Sequence, residues 1–335
     1  MKNTLVSILI PFKNTERFLA ECFVSICEQT YANWEVIAVD DHSTDTSKNL
    51  ALGFSKQRLE ITVIPNDGNG IIDALRTAYS KCKGQLITRM DCDDVMAPNK
   101  LQVMVDGLLA NGKGHVAIGK VEYFSKQGIG AGYARYEKWL NALTATGSNY
   151  SEIYKECAIP SPCWMVFKED LDACGAFNYD RYPEDYDLAF RFYEKGLKCI
   201  PCRHVLHRWR DYDNRTSRTS EHYAQNYFLD IKLHYFLKLE RNANRPLVLW
   251  GAGNKGKKIA KSLRQHNIIF HWVCDNPKKI GKEIYGQQLF HFRKVQEVHN
   301  PQSIVTVANP EEQILIKSYF ESCGQRHVLD YHFFC

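Results

Sequence analysis

In the first hundred residues, short apolar β-rich runs alternate with helical patterns, and this constrains the fold more than any other feature. Val6-Ser7-Ile8-Leu9-Ile10 reads as a buried strand stopped by Pro11. Phe18, Leu19, Cys22, Phe23 and Ile26 then recur at three- and four-residue spacing, which predicts a helix. Further strands are predicted at Trp34 to Val39, Leu59 to Ile64 and Gln85 to Met90. A helix is predicted at Gly70 to Cys82, and Pro98 opens another. Such alternation builds a mostly parallel sheet with helices on both faces, and ligands bind such sheets beyond the carboxyl ends of the strands. Two strands end in acids, at Asp40-Asp41 and at Asp91-Cys92-Asp93-Asp94. One acidic pair alone reads as a solvated turn, and Ser43 or Thr44 is positioned to cap the helix that follows. Two acidic clusters on one sheet edge shift the reading toward a cation or nucleotide site.

The middle of the chain is less patterned. Gly128-Ile129-Gly130-Ala131-Gly132 reads as a loop and Tyr136 to Leu143 as a short amphipathic helix. Pro160-Ser161-Pro162 precedes the apolar run Cys163 to Phe167. Glu184 and Asp185 begin a helix, where the dipole favours anions, so in isolation they read as N-terminal caps. Arg203, His207, Arg208, Trp209, Arg210, Arg215 and Arg218 form a cationic, aromatic stretch. Beside an acidic crevice it suits a phosphate-bearing ligand as well as a nucleic acid. A long helix is predicted from Glu221 to Glu240, and Arg241 to Pro246 is unpatterned.

After it, Leu247 to Trp250 is a strand, Gly251-Ala252-Gly253-Asn254-Lys255-Gly256 a glycine-rich turn, Lys257 to Gln265 a helix, and His271 to Asp275 a strand ending in an acid. This is the G-x-G-x-x-G context of a dinucleotide-binding unit, but of about half the usual length. Cofactor binding does not follow from this, and the unit reads rather as a nucleotide-fold module for packing, oligomerisation or regulation. The expected division is residues 1–220, a helical connector and linker at 221–245, and a small Rossmann-like α/β domain at 246–335.

Composition removes several classes. The 335 residues carry 43 Lys and Arg against 38 Asp and Glu, and a net charge of +5 does not argue for nucleic acid. No stretch approaches the roughly 18 to 20 apolar residues of a membrane span. Leu5 to Phe12 is too short for a secretory signal and runs into Lys13-Asn14, so the expectation is a cytoplasmic protein. Twelve cysteines are scattered, as for reduced structural thiols, and the Cys199-Ile200-Pro201-Cys202 pair has no second pair to complete a zinc site.

Four motifs, in order, resemble the family 2 glycosyltransferases of the GT-A fold. They are Ile10-Pro11-Phe12-Lys13-Asn14; Val39-Asp40-Asp41-His42-Ser43-Thr44-Asp45, with His42 where glycine is usual; Arg89-Met90-Asp91-Cys92-Asp93-Asp94 followed by Pro98; and Glu184-Asp185-Tyr186-Asp187-Leu188. The match covers roughly residues 4 to 220, and its specificity lies in the order and spacing. The resemblance implies a GT-A nucleotide-diphospho-sugar transferase domain with a mixed, mostly parallel sheet.

The resemblance also implies roles. Pro11, Phe12, Asn14 and Glu16 lie in the loop around the nucleotide, Asp41 hydrogen-bonds the base, commonly uracil, and Gly70 lies beside it. Asp91 and Asp93 are the DxD pair near ribose and diphosphate. Asp93 and Asp94 are the candidates for Mn²⁺ or Mg²⁺. Asp185 is the general base, and Glu184 orients the loop or binds acceptor. The family's late histidine falls at Tyr212, which leaves His207 or water to complete the metal shell. Arg210, Arg215 and Arg218 add charge stabilisation as the diphosphate departs, and His207 and Trp209 are further phosphate or acceptor candidates.

A single base with direct displacement implies inversion at the anomeric carbon. The implied partners are a nucleotide-sugar donor, UDP-sugar favoured, and a glycan, lipid-linked or protein-linked acceptor of envelope polysaccharide or glycoconjugate synthesis. No nucleic acid is expected, while a peripheral contact with the inner membrane face and self-association through the C-terminal domain stay open. Two other classes compete: a non-catalytic scaffold on a nucleotide-sugar fold, and an NAD-binding protein acting through residues 246–335. Turnover of a UDP-sugar discriminates the first and nicotinamide fluorescence the second.

Overall fold

The computed structural model describes residues 4–213, 215, 218 and 228–335. It divides into two compact units. One comprises residues 1–149 and 158–215, the other residues 150–157 and 216–335.

The first unit opens with β1 (Val6–Phe12), α1 (Leu19–Cys27), β2 (Trp34–Asp40), α2 (Ser47–Gln57), β3 (Ile61–Pro65), α3 (Gly70–Lys81) and β4 (Leu86–Arg89). β1 pairs in parallel with β2 and β4, and β2 with β3. All seven residues of β1 are buried, as a central strand covered on both faces requires. One face of β1, with Val6, Ile8, Ile10 and Phe12, joins Leu19, Phe23 and Ile26 of α1 in the core. Each such side chain contributes about 1.5–3 kcal/mol when fully buried.

The chain continues through β5 (Val95–Met96), α4 (Lys100–Asn111), β6 (His115–Ile118), β7 (Lys120–Phe124), α5 (Ala131–Thr146), β8 (Trp164–Phe167), α6 (Lys168–Ala173), α7 (Glu184–Glu194), β9 (Lys198–Ile200) and β10 (Val205–Arg210). The main sheet has the order β3-β2-β1-β4-β8-β6-β9, with β8 antiparallel to β4 and β6. A second sheet has the order β5-β10-β7. Because β1, β2 and β4 run in parallel, with Phe12 opposite Asp40 and Leu9 opposite Arg89, the loops that follow them emerge along one edge.

Close packing limits the start of β4. A Cβ on Gly84 would stand 2.6 Å from the backbone nitrogen of Ser7 and 2.6 Å from its Oγ. The Gly84 amide also donates to Ser7 Oγ at 2.8 Å. Gly84→Ala is therefore expected to lower stability by about 1–3 kcal/mol, read from the denaturant midpoint.

The second unit holds a six-stranded sheet in the spatial order Glu283–Ile284, Gln287–His291, Phe270–Cys274, Leu247–Trp250, Gln302–Val305, Tyr331–Phe333. Its pairings are parallel except that of the first two strands. The glycine-rich turn lies between the strand Leu247–Trp250 and the helix Asn254–Gln265, as expected. Gly251 takes φ +118°, and a Cβ on Gly256 would meet the Gly251 carbonyl oxygen at 2.0 Å, so both positions demand glycine. The Gly251 carbonyl accepts from Trp272 Nε1 at 2.8 Å and the Ala252 carbonyl from Lys279 Nζ at 2.7 Å.

Three local expectations are corrected. The helix expected at Tyr136 to Leu143 starts earlier and ends later, at Ala131–Thr146, because Tyr133, Tyr136, Trp139 and Leu140 pack on the core and outweigh the glycines at its start. The side chain that meets the amide of Ser47, at the start of α2, belongs to Asp45 (2.9 Å) and not to Ser43 or Thr44, whose hydroxyls turn to Asn14. The helix expected at Glu221 to Glu240 is observed at Leu229–Tyr235, continued by a wider turn at Phe236–Glu240, and residues 221–227 lie outside the described residues. Cys199 and Cys202 are both buried and neither is in a disulfide.

Candidate active site

The loops after β1 and β2 are stitched together by side chains. Asn14, at φ +51°, accepts from the Thr44 amide (2.8 Å) and hydroxyl (3.3 Å), while its own amide donates to Ser43 Oγ (3.1 Å). Glu16 accepts from the Thr46 amide (3.0 Å) and hydroxyl (2.6 Å), which holds its carboxyl below the usual range. Pro11 and Phe12 are buried at the end of β1, and the Phe12 carbonyl accepts from the Asp41 amide (2.8 Å). His42 takes φ +57°, which explains why glycine is usual there, and its Nε2 lies 2.8 Å from the Gly68 carbonyl.

Asp41 is buried at the mouth of this pair of loops. Its Oδ1 accepts from Asn66 Nδ2 (2.7 Å) and the Gly70 amide (2.9 Å), and Oδ2 pairs with Lys13 Nζ (3.3 Å). Burial pushes the carboxyl up, but these donors outweigh it and hold Asp41 ionised, below its ordinary range. Gly70 has φ +84° and open space around it, so the α3 entrance leaves room beside Asp41.

The turn after β4 gathers the acids. Asp94 is fully buried; its Oδ2 lies 2.9 Å from His207 Nε2, and its Oδ1 accepts from the Arg210 amide at 2.7 Å. His207 is also fully buried, with Nδ1 facing Lys100 Nζ at 3.5 Å. Burial and Lys100 push His207 far below its ordinary range, so the imidazole is neutral. With Nδ1 accepting from Lys100, Nε2–H donates to Asp94. His207, the candidate to complete a metal shell, thus has both ring nitrogens engaged inside the protein. Trp209 is buried against Tyr123, Tyr136 and His207.

Asp93 lies half-buried beside this pair. Its Oδ2 accepts from Tyr212 Oη at 2.9 Å, at the position where the resemblance puts a histidine. Burial, with repulsion from Asp94 and Asp91, pushes Asp93 up to about 7. Arg210 Nε donates to the Asp93 carbonyl (2.7 Å), Nη2 to Glu21 (2.5 Å), and its guanidinium lies over Phe18 and Phe124. Arg215 lies over Tyr123, and its charge faces Asp94, Asp93 and Asp91.

Glu184 and Asp185 open α7, where exposed amides favour carboxylates. Asp185 Oδ1 accepts from the Tyr186 amide at 2.8 Å. Burial first, and then Glu184, push Asp185 up to about 7, against the opposing pull of Arg89. Arg89 itself, 3% exposed, joins the two carboxylate groups: Nη2 donates to Asp91 Oδ1 (2.7 Å) and Nη1 to Glu184 Oε1 (3.0 Å). Burial pushes Asp91 up, but the Arg89 charge and hydrogen bond hold it low.

The structure therefore brings together Asp91, Asp93, Asp94, Arg210 and Arg215, and through Arg89 also Glu184 and Asp185. Asn14, Glu16 and Asp41, on the loops after β1 and β2, form a separate set with Gly70 at the start of α3. Sequence reading missed the bridging role of Arg89, the buried Lys100 and the Asn66 donor. The signal for Arg89 was present: a cation two residues before an acid at the end of an apolar strand has to find buried partners.

The profile of Glycosyl transferase family 2 matches residues 7–175. The UDP-Glc:alpha-D-GlcNAc-diphosphoundecaprenol beta-1,3-glucosyltransferase WfgD of Escherichia coli is 29% identical over 213 residues, 63% of this chain and 78% of that protein. The glycosyltransferase GlyG of Streptococcus pneumoniae is 36% identical over 101 residues, 30% of this chain and 34% of its own length. Among solved structures, S. aureus TarS 1-349 in complex with UDP-GlcNAc aligns with a TM-score of 0.53 at 15% identity, covering 78% of this chain and 72% of that one. The mannosyltransferase PcManGT from Pyrobaculum calidifontis, in complex with GDP-Man and Mn²⁺, aligns with a TM-score of 0.51 at 20% identity, covering 70% and 63%. At these identities the structural matches speak for the fold. With the family profile spanning half the chain and the mostly parallel α/β sheet presenting its acids on one edge, the chain belongs to the family 2 glycosyltransferases and has the GT-A fold.

Proposed function

We propose that the chain transfers a sugar from a nucleotide-diphosphate donor, UDP-sugar favoured, to an acceptor hydroxyl with inversion at the anomeric carbon. The observation that carries this reading is Asp185, a carboxyl pushed up to about 7 at the start of α7 and tied through Glu184 and Arg89 to Asp91. A base that titrates near neutral pH can take the proton of an acceptor hydroxyl as it attacks. With one such base and no covalent nucleophile invoked, direct displacement inverts the centre. Asp41, held ionised with its Oδ2 toward solvent-exposed Lys13, suits the imide N–H of uracil. The hydrogen bonds of Asn14 and Glu16 hold the two nucleotide loops in one arrangement before donor arrives.

Of the acids after β4, Asp93 is the one that suits a divalent cation. Among the described residues no three His, Cys, Asp or Glu side chains converge as a ready shell, and Asp94 spends both oxygens on protein donors. Asp93 differs: its Oδ1 has no hydrogen bond among the described residues, and burial first, then the neighbouring Asp94, push its carboxyl up. Asp93 would hold Mn²⁺ or Mg²⁺ together with donor phosphate oxygens and water, and the ion would neutralise the diphosphate leaving group. Arg210 and Arg215 place further positive charge at the same turn.

The names of related proteins support the substrate class. WfgD acts with UDP-Glc on a GlcNAc-diphosphoundecaprenol, and two fold neighbours were solved with UDP-GlcNAc and with GDP-Man and Mn²⁺. A lipid-diphosphate-linked glycan is accordingly the favoured acceptor. No helix among the described residues is long and apolar enough to cross a membrane.

The test is a panel of UDP- and GDP-sugars with Mn²⁺, with and without lipid-linked acceptors, followed by release of nucleoside diphosphate and the anomeric configuration of the product. Metal-dependent release with an inverted product is expected. Retention of configuration, or turnover of no nucleotide sugar, would overturn the reading.

A further inference from the structure

We propose that Arg89 is a positioning residue for transfer: its guanidinium bridges Asp91 and Glu184 and so holds the donor-side acids and the acceptor-side base in one frame. This inference rests on the transferase reading above.

Arg89 ends β4, a strand whose four residues are all buried, so its backbone is fixed by the central sheet. Its side chain spans two elements far apart in sequence, meeting Asp91 two residues on and Glu184 ninety-five residues on. Its third nitrogen, Nε, is buried and has no hydrogen-bond partner among the described residues. Burying a cation with one donor unmet is costly, and a buried ion pair is seldom the most stable way to fill such a space. What the bridge supplies is geometry. The planar fork fixes two carboxylates at once, which a lysine ammonium cannot do.

The bridge also has an electrostatic consequence for the base. Asp185 meets Glu184 on its own helix, Arg89 from the end of β4, and Asp91 from the turn beyond it. Glu184 and Asp91 oppose its ionisation, and Arg89 favours it. Removing the guanidinium leaves the two repulsive neighbours in place and frees Glu184 to move toward Asp185. The base then titrates higher.

Arg89→Met and Arg89→Lys test this, with the pH dependence of kcat/KM as the readout. The wild type sets the reference: if it turns over no nucleotide sugar, the transferase reading fails and the bridge is not the cause. Given wild-type turnover, Arg89→Met is expected to lower kcat by about 100-fold, the loss typical of a misplaced catalytic group, and to move the acid limb to higher pH. Arg89→Lys keeps the charge and loses the fork. It is expected to leave the acid limb close to that of the wild type while kcat still falls by about tenfold. Glu184→Gln in the Arg89→Met background is expected to bring the acid limb back down. A merely structural salt bridge would lower the melting temperature but leave the acid limb unmoved in every soluble variant, and that result overturns the proposal. If Arg89→Met is insoluble, Arg89→Lys decides alone: kcat within twofold of the wild type also overturns it.

Discussion

Asp185→Asn is expected to lower transfer by about a thousandfold while leaving nucleotide affinity within about twofold, because the general base acts on the acceptor and typically contributes 10²–10⁴ in rate. Calorimetric titration of UDP and steady-state release of UDP on the same preparation separate the two effects. In the wild type, kcat/KM should fall tenfold per pH unit below about 7, where Asp185 takes up its proton. Stability should move the opposite way. The folded pKa lies above the ordinary 3.8, so the ionised carboxyl opposes folding. That opposition is absent below about pH 3.8, grows between there and about 7, and is complete above 7. Asp185→Asn should therefore raise the melting temperature at pH 8 and leave it unchanged near pH 4. A variant that keeps more than a tenth of wild-type kcat would remove Asp185 from the mechanism.

The second large effect is expected at Asp93. Asp93→Ala should weaken nucleoside-diphosphate binding in Mn²⁺ by about 100-fold, since a bound metal contributes several kcal/mol through the phosphate oxygens. In chelator the variant and the wild type should bind nucleotide alike. Thermal shift gives an independent reading. A ligand at a hundred times its Kd stabilises by about 2.7 kcal/mol, so Mn²⁺ with UDP should raise the wild-type melting temperature and not that of the variant. An unchanged Mn²⁺ response in Asp93→Ala would place the ion elsewhere.

Much of this site was legible because its residues terminate strands. Asp40-Asp41 and Asp91 to Asp94 follow runs buried on both faces, and a parallel sheet puts such ends on one edge whatever the rest of the chain does. The roles proposed for Asp185 and Asp93 come from the resemblance. What escaped was set by contacts between residues distant in sequence. His207 reads as part of a basic, aromatic stretch and as a metal or phosphate candidate, yet pairing of β10 with β5 and β7 buries it against Asp94, 113 residues away. Tyr212 was visible as a departure from the family pattern, but only the folded chain shows its hydroxyl on Asp93. The helix Ala131–Thr146 was partly hidden, because two glycines at its start carry a loop signal that packing against the core overrides.

The path of the chain between the two units bears on how the gene can be cut. Residues 150–157 belong with the C-terminal unit, although they interrupt the sequence of the transferase unit. Within the second unit Tyr154 stacks on Phe334 and meets Phe236 and His332 edge-on, and Lys232 Nζ donates to the Lys155 carbonyl at 2.8 Å. A stop codon after the linker at 241–246 would strip Phe334 and His332 from a segment still embedded in the remaining coding sequence. The C-terminal unit is therefore not a cassette that recombination can add or lose at one junction. To exchange it between relatives, evolution or the engineer has to carry an eight-residue graft along with it.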